Sequence, residues 1–361
     1  MFSHRIDRIA CIAVVVIGTS IAAGAPTARA SMDRSQIPDQ ATWYFQFDAA
    51  AFRDSVLGKW IIEYVKDNDE AAKGLREIEV LFGVNPLTDL QSVSGWGKSN
   101  EPDQGVILVE FTGNVEQLQR IAQIADEYKA DKYRGLIVHS FVDKENHGKK
   151  RNHVAIRPAN AGKPVMLVGS HDRDLVEQAV DRLMGEGRSI EASDNGALNG
   201  KPTAGSYFYM AGAGMAPKEP GVEIWSTVRS MKIDVGEVDR TEGGPAETRF
   251  EMAMEAKSAE KAEMLETMVR GIKAMVQLSA DGGGEAAVVA KLLQYLEIDR
   301  DGGRVSIRYR QDSAELIEMA EAAVQRKLEA AEEDGERGGI RWKASVFELD
   351  VVSPGAPSPK R

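Results

Sequence analysis

The chain has 361 residues, of which 28% are charged and 43% hydrophobic, and these values are ordinary for a soluble globular protein. This composition excludes a disordered chain, a disulfide-rich miniprotein and a polytopic membrane protein. The 56 acidic residues outnumber the 45 lysines and arginines, and the formal charge of -11 argues against broad binding to a nucleic-acid backbone.

The first thirty residues have the pattern of a secretory signal peptide. Arg5 and Arg8 precede an apolar run at residues 9–23, and Ala28-Arg29-Ala30 supplies the small residues that signal peptidase recognises. The apolar run is shorter than the roughly 20 residues that a membrane-spanning helix needs. We therefore expect cleavage before Ser31, export to the periplasm or beyond, and no membrane span in the mature protein.

Cleavage would change the chemistry that the chain can perform. Residues 1–30 contain three arginines and one aspartate, so the mature chain would have 42 basic and 55 acidic residues and a net charge of -13. Cys11 is the only cysteine and would be removed. The mature protein would then have no disulfide, no thiol nucleophile and no thiolate metal ligand.

The first of two predicted α+β units occupies residues 41–192. Its elements follow from apolar periodicity and from turn and capping residues. In chain order we expect an aromatic strand at 43–47, helices at 49–65 and 70–82, strands at 91–97 and 105–112, a helix at 118–128, strands at 136–138 and 165–168, and a helix at 175–183.

The second unit, at residues 203–352, begins after a turn-rich boundary at 194–202. We expect an aromatic strand at 206–210, strands at 224–238 and 246–254, helical segments at 264–276 and 285–296, a strand at 304–310, a helix at 316–328 and a last strand at 340–352. Residues 353–361 form a tail, rich in proline and serine, that we expect to be disordered.

The two units have a similar order of elements. Phe111 precedes Met252 by 141 positions and Leu167 precedes Ile307 by 140, which aligns the strands on either side of a helix in each half. Short connections between consecutive strands favour antiparallel pairing, with the helices packed on one face. The predicted fold class is α+β, and the sequence leaves open whether the units share one sheet.

One catalytic motif is only partly present. Ser258-Ala259-Glu260-Lys261 and residues 193–195 match two of the three signatures of serine β-lactamases, but their order is reversed and Lys-Thr-Gly is missing. Ser258 is better explained as a helix N-cap. We therefore predict no catalytic residue.

The histidines do not have the spacing of a zinc site. His139 falls in a predicted strand, His147 and His153 fall in a predicted loop around Lys149-Lys150-Arg151, and His171 begins a helix. Zinc ligands usually occur as close pairs, which are missing here. We interpret the three cations of the loop as solvated.

Other candidate sites are also explained by local structure. Asp299-Arg300-Asp301-Gly302 lacks most calcium ligands and is typical of a tight turn. Residues 211–214 and 282–284 are glycine-rich but lack the dinucleotide-binding pattern. Met264, Met268 and Met275 could line an adaptable groove, but their spacing favours a buried helix face. The sequence predicts no cofactor and no metal.

Several longer segments resemble a family of uncharacterised secreted proteins from planctomycete-type bacteria. They are ATWYFQFDAAAFRDSVLGKWIIEYV, LFGVNPLTDLQSVSGWG, VMLVGSHDRDLVEQAVDRLMG and VSIRYRQDSAELIEM. The resemblance covers most of the mature chain and rests on structural motifs. It implies export and a two-unit α+β fold, and no activity or site residue.

Three functions remain open. The leading hypothesis is a non-enzymatic exported protein that binds an envelope protein or component through its sheets or the cleft between units. The second is a carrier of a small molecule or lipid, with a cavity between helices and sheet. The third is a hydrolase that uses a carboxylate pair. The sequence indicates no nucleic-acid partner and does not determine the oligomeric state.

Overall fold

The structure, a computed structural model, describes residues 34–99, 101–113, 115–142, 150–160, 163–192, 196–214, 226–238, 244–279 and 284–333. The predicted cleavage site, residues 193–195, His147, the strand at 340–352 and the tail at 353–361 lie outside these ranges. Within them, no helix is both long enough and apolar enough to cross a membrane.

The described residues form twelve β-strands and eight α-helices, which confirms the predicted α+β class. The strands are β1 (Trp43–Asp48), β2 (Leu90–Gly97), β3 (Gly105–Phe111), β4 (Lys129–Tyr133), β5 (Leu136–Val142), β6 (Arg151–Arg157), β7 (Val165–Ser170), β8 (Ser206–Ala213), β9 (Val228–Val238), β10 (Glu247–Ala256), β11 (Leu296–Asp301) and β12 (Arg304–Asp312). The helices are α1 (Ala49–Asp54), α2 (Val56–Asp67), α3 (Asp69–Phe82), α4 (Val115–Gln123), α5 (Arg173–Leu183), α6 (Ala259–Ser279), α7 (Gly284–Gln294) and α8 (Ser313–Glu333).

All twelve strands belong to one sheet, in which every neighbouring pair is antiparallel. Their order is β11-β12-β10-β9-β8-β1-β2-β3-β7-β6-β5-β4. The two aromatic strands β1 and β8 pair at the centre, with Phe47 opposite Phe208 and Phe45 opposite Met210. The two halves of the chain therefore share one continuous sheet.

The two sides of the β1–β8 pair differ in length. The strands run β1-β2-β3-β7-β6-β5-β4 on one side and β8-β9-β10-β12-β11 on the other. On each side the first three strands are followed by the last strand of that half and then by the strand before it. After the third strand of each half, α4 packs with Phe111 and Leu167, and α6 packs with Met252 and Ile307. These are the four residues that aligned the two halves in the sequence, and each of them contacts its helix.

Two strands of the first half were not predicted from sequence. β4 and β6 lie between α4 and α5, where we expected only two strands and a charged loop that extended to residue 152. β4 is an edge strand whose side chains are almost all exposed, so it lacks the apolar alternation that identifies a strand. Its position depends on the turn at Arg134 and Gly135, which have φ angles of 50° and 82° and suit a tight hairpin.

Most helices lie on one face of the sheet, which we call the helical face. There α1 and α2 pack on Phe47 and Val93, and α4 and α6 pack on the two clusters described above. α5 packs on the opposite face, which we call the α5 face, against Val106 and Val168. The predicted arrangement, with helices gathered on one face, therefore holds with α5 as the exception.

α5 and α8 each follow the last strand of their half but lie on opposite faces. α8 lies on the helical face, where Met319 contacts Gln311 of β12 and Glu321 accepts a hydrogen bond from Trp60 of α2. In the second half, the α5 face carries charged cross-strand neighbours such as Arg308, 3.5 Å from Asp299. No described helix covers this charged part of the sheet.

Candidate functional site

The serine of the incomplete catalytic motif is a helix cap, as predicted. Ser258 Oγ accepts a hydrogen bond from Lys261 N at 3.2 Å, immediately before α6. The Asp299–Gly302 segment forms the hairpin between β11 and β12, with Gly302 at a φ of 54°. Both features are explained by backbone geometry.

The histidines do not converge. His139 and His153 lie on the adjacent strands β5 and β6, but the pairing of His139 with Val154 places the two rings on opposite faces. The prediction of a loop at His153 is wrong, because the strand begins at Arg151. His171 lies two residues before α5, whose N-cap is Asp172. The described residues contain no group of three or more His, Cys, Asp or Glu side chains placed to hold a metal ion.

His153 forms a pair with a serine that sequence reasoning missed. Its Nδ1 lies 2.9 Å from Ser140 Oγ on the neighbouring strand. Burial, together with the nearby Arg173 and Arg151, lowers the pKa of His153, which favours the neutral ring. Ser140 is buried in the sheet, however, so its hydroxyl is closed to a substrate. The pair is a structural hydrogen bond between strands.

Of the three cations in the predicted loop, Lys150 and Arg151 are described, and both are paired. Lys150 Nζ lies 2.6 Å from an Asp103 oxygen, and Arg151 Nη2 lies 3.0 Å from Glu127 Oε2. These are exposed ion pairs of the kind that contribute little to stability. Lys150 and Arg151 therefore bind carboxylates of the protein itself and do not form a cation cluster for an anionic partner.

The methionine-rich helix differs from its prediction. Met268 packs in the core with Leu265, but Met264 and Met275 are exposed. The prediction that all three methionines are buried is therefore wrong for two of them. The buried stripe of α6 is formed by Ala262, Leu265 and Val269.

The exposed apolar residues at the end of α6 and on α7 define a first candidate surface. We call it the apolar hairpin surface and define it by Ile272, Met275 and Leu278 of α6 and Val289 of α7. Met275 and Leu278 have exposures of 64% and 75%. Between residues 271 and 279 the only charged side chain is Lys273. An apolar group of this kind on a soluble protein often marks an interaction site.

Three charged side chains of α6 contact the edge of the sheet. Arg270 Nη2 donates to Ile298 O and Lys273 Nζ donates to Leu296 O, each at 2.7 Å. Glu266 accepts from Arg270 and Arg300, and these bonds lower the pKa of its carboxyl group. These contacts occupy backbone carbonyls of the edge strand β11. Arg270 and Lys273 therefore bind the edge strand, while Ile272, Met275 and Leu278 in the same part of the helix are exposed.

A cleft between α7 and α8 forms a second candidate site. It has a volume of about 570 Å³, within the range of ligand pockets. Its α7 wall carries Lys291, and its α8 wall carries Glu315, Glu318 and Arg326. No ion pair within 4.0 Å joins these four side chains to one another or to any other described residue. Arg326 Nε donates to the backbone oxygen of Ala322, one turn earlier on α8, at 2.9 Å. The four charged groups therefore have no ion-pair partner among the described residues.

The floor of the cleft contains a buried amide with little hydrogen bonding. Gln311 of β12 is only 4% exposed, and its Oε1 accepts a hydrogen bond from Tyr309. Its Nε2 donates to the sulfur of Met319 at 3.9 Å, which is a weak partner for an amide. Tyr295, in edge-to-face contact with Tyr309, adds an aromatic surface beside it. The floor can therefore donate a hydrogen bond to a carbonyl or carboxylate oxygen.

The fold and these two surfaces define an α+β protein with a continuous antiparallel sheet. No family model matches the chain, and no curated protein matches it. Among solved structures it is similar to TP0453, a Treponema protein, in two crystal forms. Form I is 12% identical with a TM-score of 0.40 and coverage of 81% of this chain and 98% of that one. Form IV is 10% identical with a TM-score of 0.40 and coverage of 81% and 97%. Similarity at this level carries no conclusion about function.

Proposed function

We propose that the protein is an exported, non-enzymatic binding protein that docks a partner protein of the cell envelope on its apolar hairpin surface. The observation that carries the proposal is the exposure of Ile272, Met275 and Leu278 in a helical segment whose two cations, Arg270 and Lys273, bind the edge strand. The signal-peptide pattern at residues 1–30 supports export.

The energetics favour a covered surface. Fully burying a large apolar side chain is worth about 1.5–3 kcal/mol, and the four side chains of the surface are roughly half to three-quarters exposed. Covering them would therefore contribute roughly 4–6 kcal/mol. That is a large part of the binding energy of a micromolar complex, which is about 8 kcal/mol.

The experiment uses a photo-crosslinking residue at position 278 of the full chain, expressed in its own host. Ile124 at the end of α4 is a matched control position, because it is 79% exposed and lies outside the surface. We expect one envelope protein to crosslink from position 278 and not from position 124. Leu278→Lys is expected to reduce co-purification of that protein at least about tenfold, and Ile124→Lys to leave it unchanged.

Two results would contradict the proposal. Equal crosslinking from both positions would indicate non-specific contact with apolar side chains. Unchanged co-purification with Leu278→Lys would show that the partner binds elsewhere. Both substitutions are at exposed positions, so the free energy of unfolding of each variant is expected to stay within about 0.5 kcal/mol of the wild-type value.

A further inference from the structure

The cleft between α7 and α8 presents charges of both signs in separate places. Glu315 and Glu318 lie in the first turns of α8, near Gln311 at the end of β12. Arg326 lies further along the same helix, and Lys291 lies on the opposite wall. No ion pair joins these side chains to one another or to another residue that the structure describes, and the position along α8 separates the two glutamates from Arg326.

The spacing of the two ends sets the length of a complementary ligand. Glu318 and Arg326 are eight residues apart on one helix, which separates their Cα atoms by about 12 Å along the axis. An extended peptide covers about 3.3–3.6 Å per residue, so three to four residues span this distance. A ligand of this length fits within the volume of about 570 Å³.

The groups between the two ends suit a peptide backbone with apolar side chains. The weakly bonded Nε2 of Gln311 can donate to a backbone carbonyl oxygen. Tyr295, Met319 and Ala322 provide an aromatic ring and apolar contacts along the walls. A carboxylate suits Arg326, because charge-assisted bonds to cations are strong, and an ammonium group suits Glu315 and Glu318.

We propose that the α7–α8 cleft binds a short zwitterionic peptide of about four residues, with a free ammonium group at its acidic end and a free carboxylate at its basic end. This site is separate from the apolar hairpin surface, so it does not depend on the proposed partner docking. The ligand class follows from the two carboxylates, their separation from Arg326 along α8 and the amide on the floor.

The test measures binding of a mixed-sequence tetrapeptide library with free termini to the full chain, by equilibrium dialysis and mass spectrometry. The same library is used in N-acetylated and C-amidated forms. We expect each modification to weaken binding at least about tenfold, because each removes one charge-assisted contact. Ala322→Trp, which fills the cleft from an exposed position of α8, is expected to abolish binding.

Charge variants assign each terminus to its end of the cleft. Glu318→Gln is expected to weaken binding of the free library about tenfold and to have no effect on the N-acetylated library. Arg326→Gln is expected to weaken binding of the free library about tenfold and to have no effect on the C-amidated library. Arg76→Gln on α3 is the matched control, since Arg76 is exposed and lies outside the cleft.

Three outcomes would overturn the proposal. The first is no binding of the free library at millimolar concentration. The second is binding that Ala322→Trp leaves intact, which would place the peptide elsewhere. The third is equal binding of the free, acetylated and amidated libraries, which would show that the terminal charges are not recognised.

Discussion

Glu237 of β9 connects the two halves of the chain through three hydrogen bonds. Its Oε1 accepts from Val56 N at 2.7 Å, and its Oε2 accepts from Leu57 N at 3.3 Å, at the start of α2. Its Oε2 also accepts from Ser313 Oγ at 2.9 Å, at the start of α8. We predict that Glu237→Ala loosens both helices from the sheet.

The cost follows from what each partner loses. A hydrogen bond to a charged group contributes about 1.5–3 kcal/mol when buried. The Val56 amide is near solvent and can bind water instead, and the buried Ser313 hydroxyl keeps a contact of 2.8 Å to Thr248. We therefore take about 1 kcal/mol for each of the three bonds, including the favourable interaction of a carboxylate with a helix N-terminus. The expected loss in free energy of unfolding is roughly 2–3 kcal/mol.

The assay is urea denaturation followed by circular dichroism, with the dependence on urea compared between variants. Glu255→Ala is the control, because the Glu255 carboxylate lies 3.9 Å from Arg304 and both side chains are half exposed. Removing this surface pair is expected to cost less than about 0.5 kcal/mol. A change of similar size for Glu237→Ala would refute the role assigned to its hydrogen bonds.

Three further predictions test the backbone, the pH dependence and the core. Gly135→Ala is expected to lower the free energy of unfolding by about 1 kcal/mol, because φ at this position is 82°. Gly74→Ala within α3 is expected to raise it by about 1 kcal/mol, because alanine favours the helix. Neither new methyl group meets an atom within 4 Å, so equal effects of the two substitutions in urea denaturation would contradict this reasoning. Burial lowers the pKa of His139, so the folded protein takes up fewer protons than the unfolded chain and loses stability as the pH falls below about 6.5. His139→Gln is expected to reduce this loss between pH 7 and 5, and an unchanged pH dependence of the unfolding free energy would contradict it. Leu265→Ala is expected to lower the free energy of unfolding by about 2–4 kcal/mol, because it opens a cavity in the core. Leu278→Ala, at an exposed position, is expected to lower it by less than about 0.5 kcal/mol. Similar losses for the two variants in urea denaturation would contradict the difference in burial.

The sequence predicted the elements whose apolar side chains are buried in a regular pattern. The aromatic strand β1 and helix α5 are examples, because Tyr44 and Phe47 alternate between buried faces and Leu175, Val176 and Ala179 form one buried stripe. β4 could not be found in this way, because as an exposed edge strand it buries almost nothing. Its pairing is specified by the turn at Gly135, a signal of only a few residues.

Neither candidate site could be found by motif. The cleft joins Lys291, Gln311 and Arg326, which lie on three elements and share no spacing rule. The exposed stripe of α6 has the same helical spacing as a buried one, so periodicity alone favoured a core position for Met275. Only the position of α6 against the β11 edge determines which of its sides is buried.

The position of α8 places the cleft on the helical face of the second half. In the first half the α5 face offers apolar side chains such as Val106 and Val168, and the apolar stripe of α5 is buried there. In the second half the same face carries the ion pair of Asp299 and Arg308, and covering it with an apolar helix face would remove both charges from water at a cost in desolvation. α8 packs instead on the helical face beside α7, and the space between the two helices is the cleft. The charges on β11 and β12 thus favour the side of the sheet on which the cleft lies.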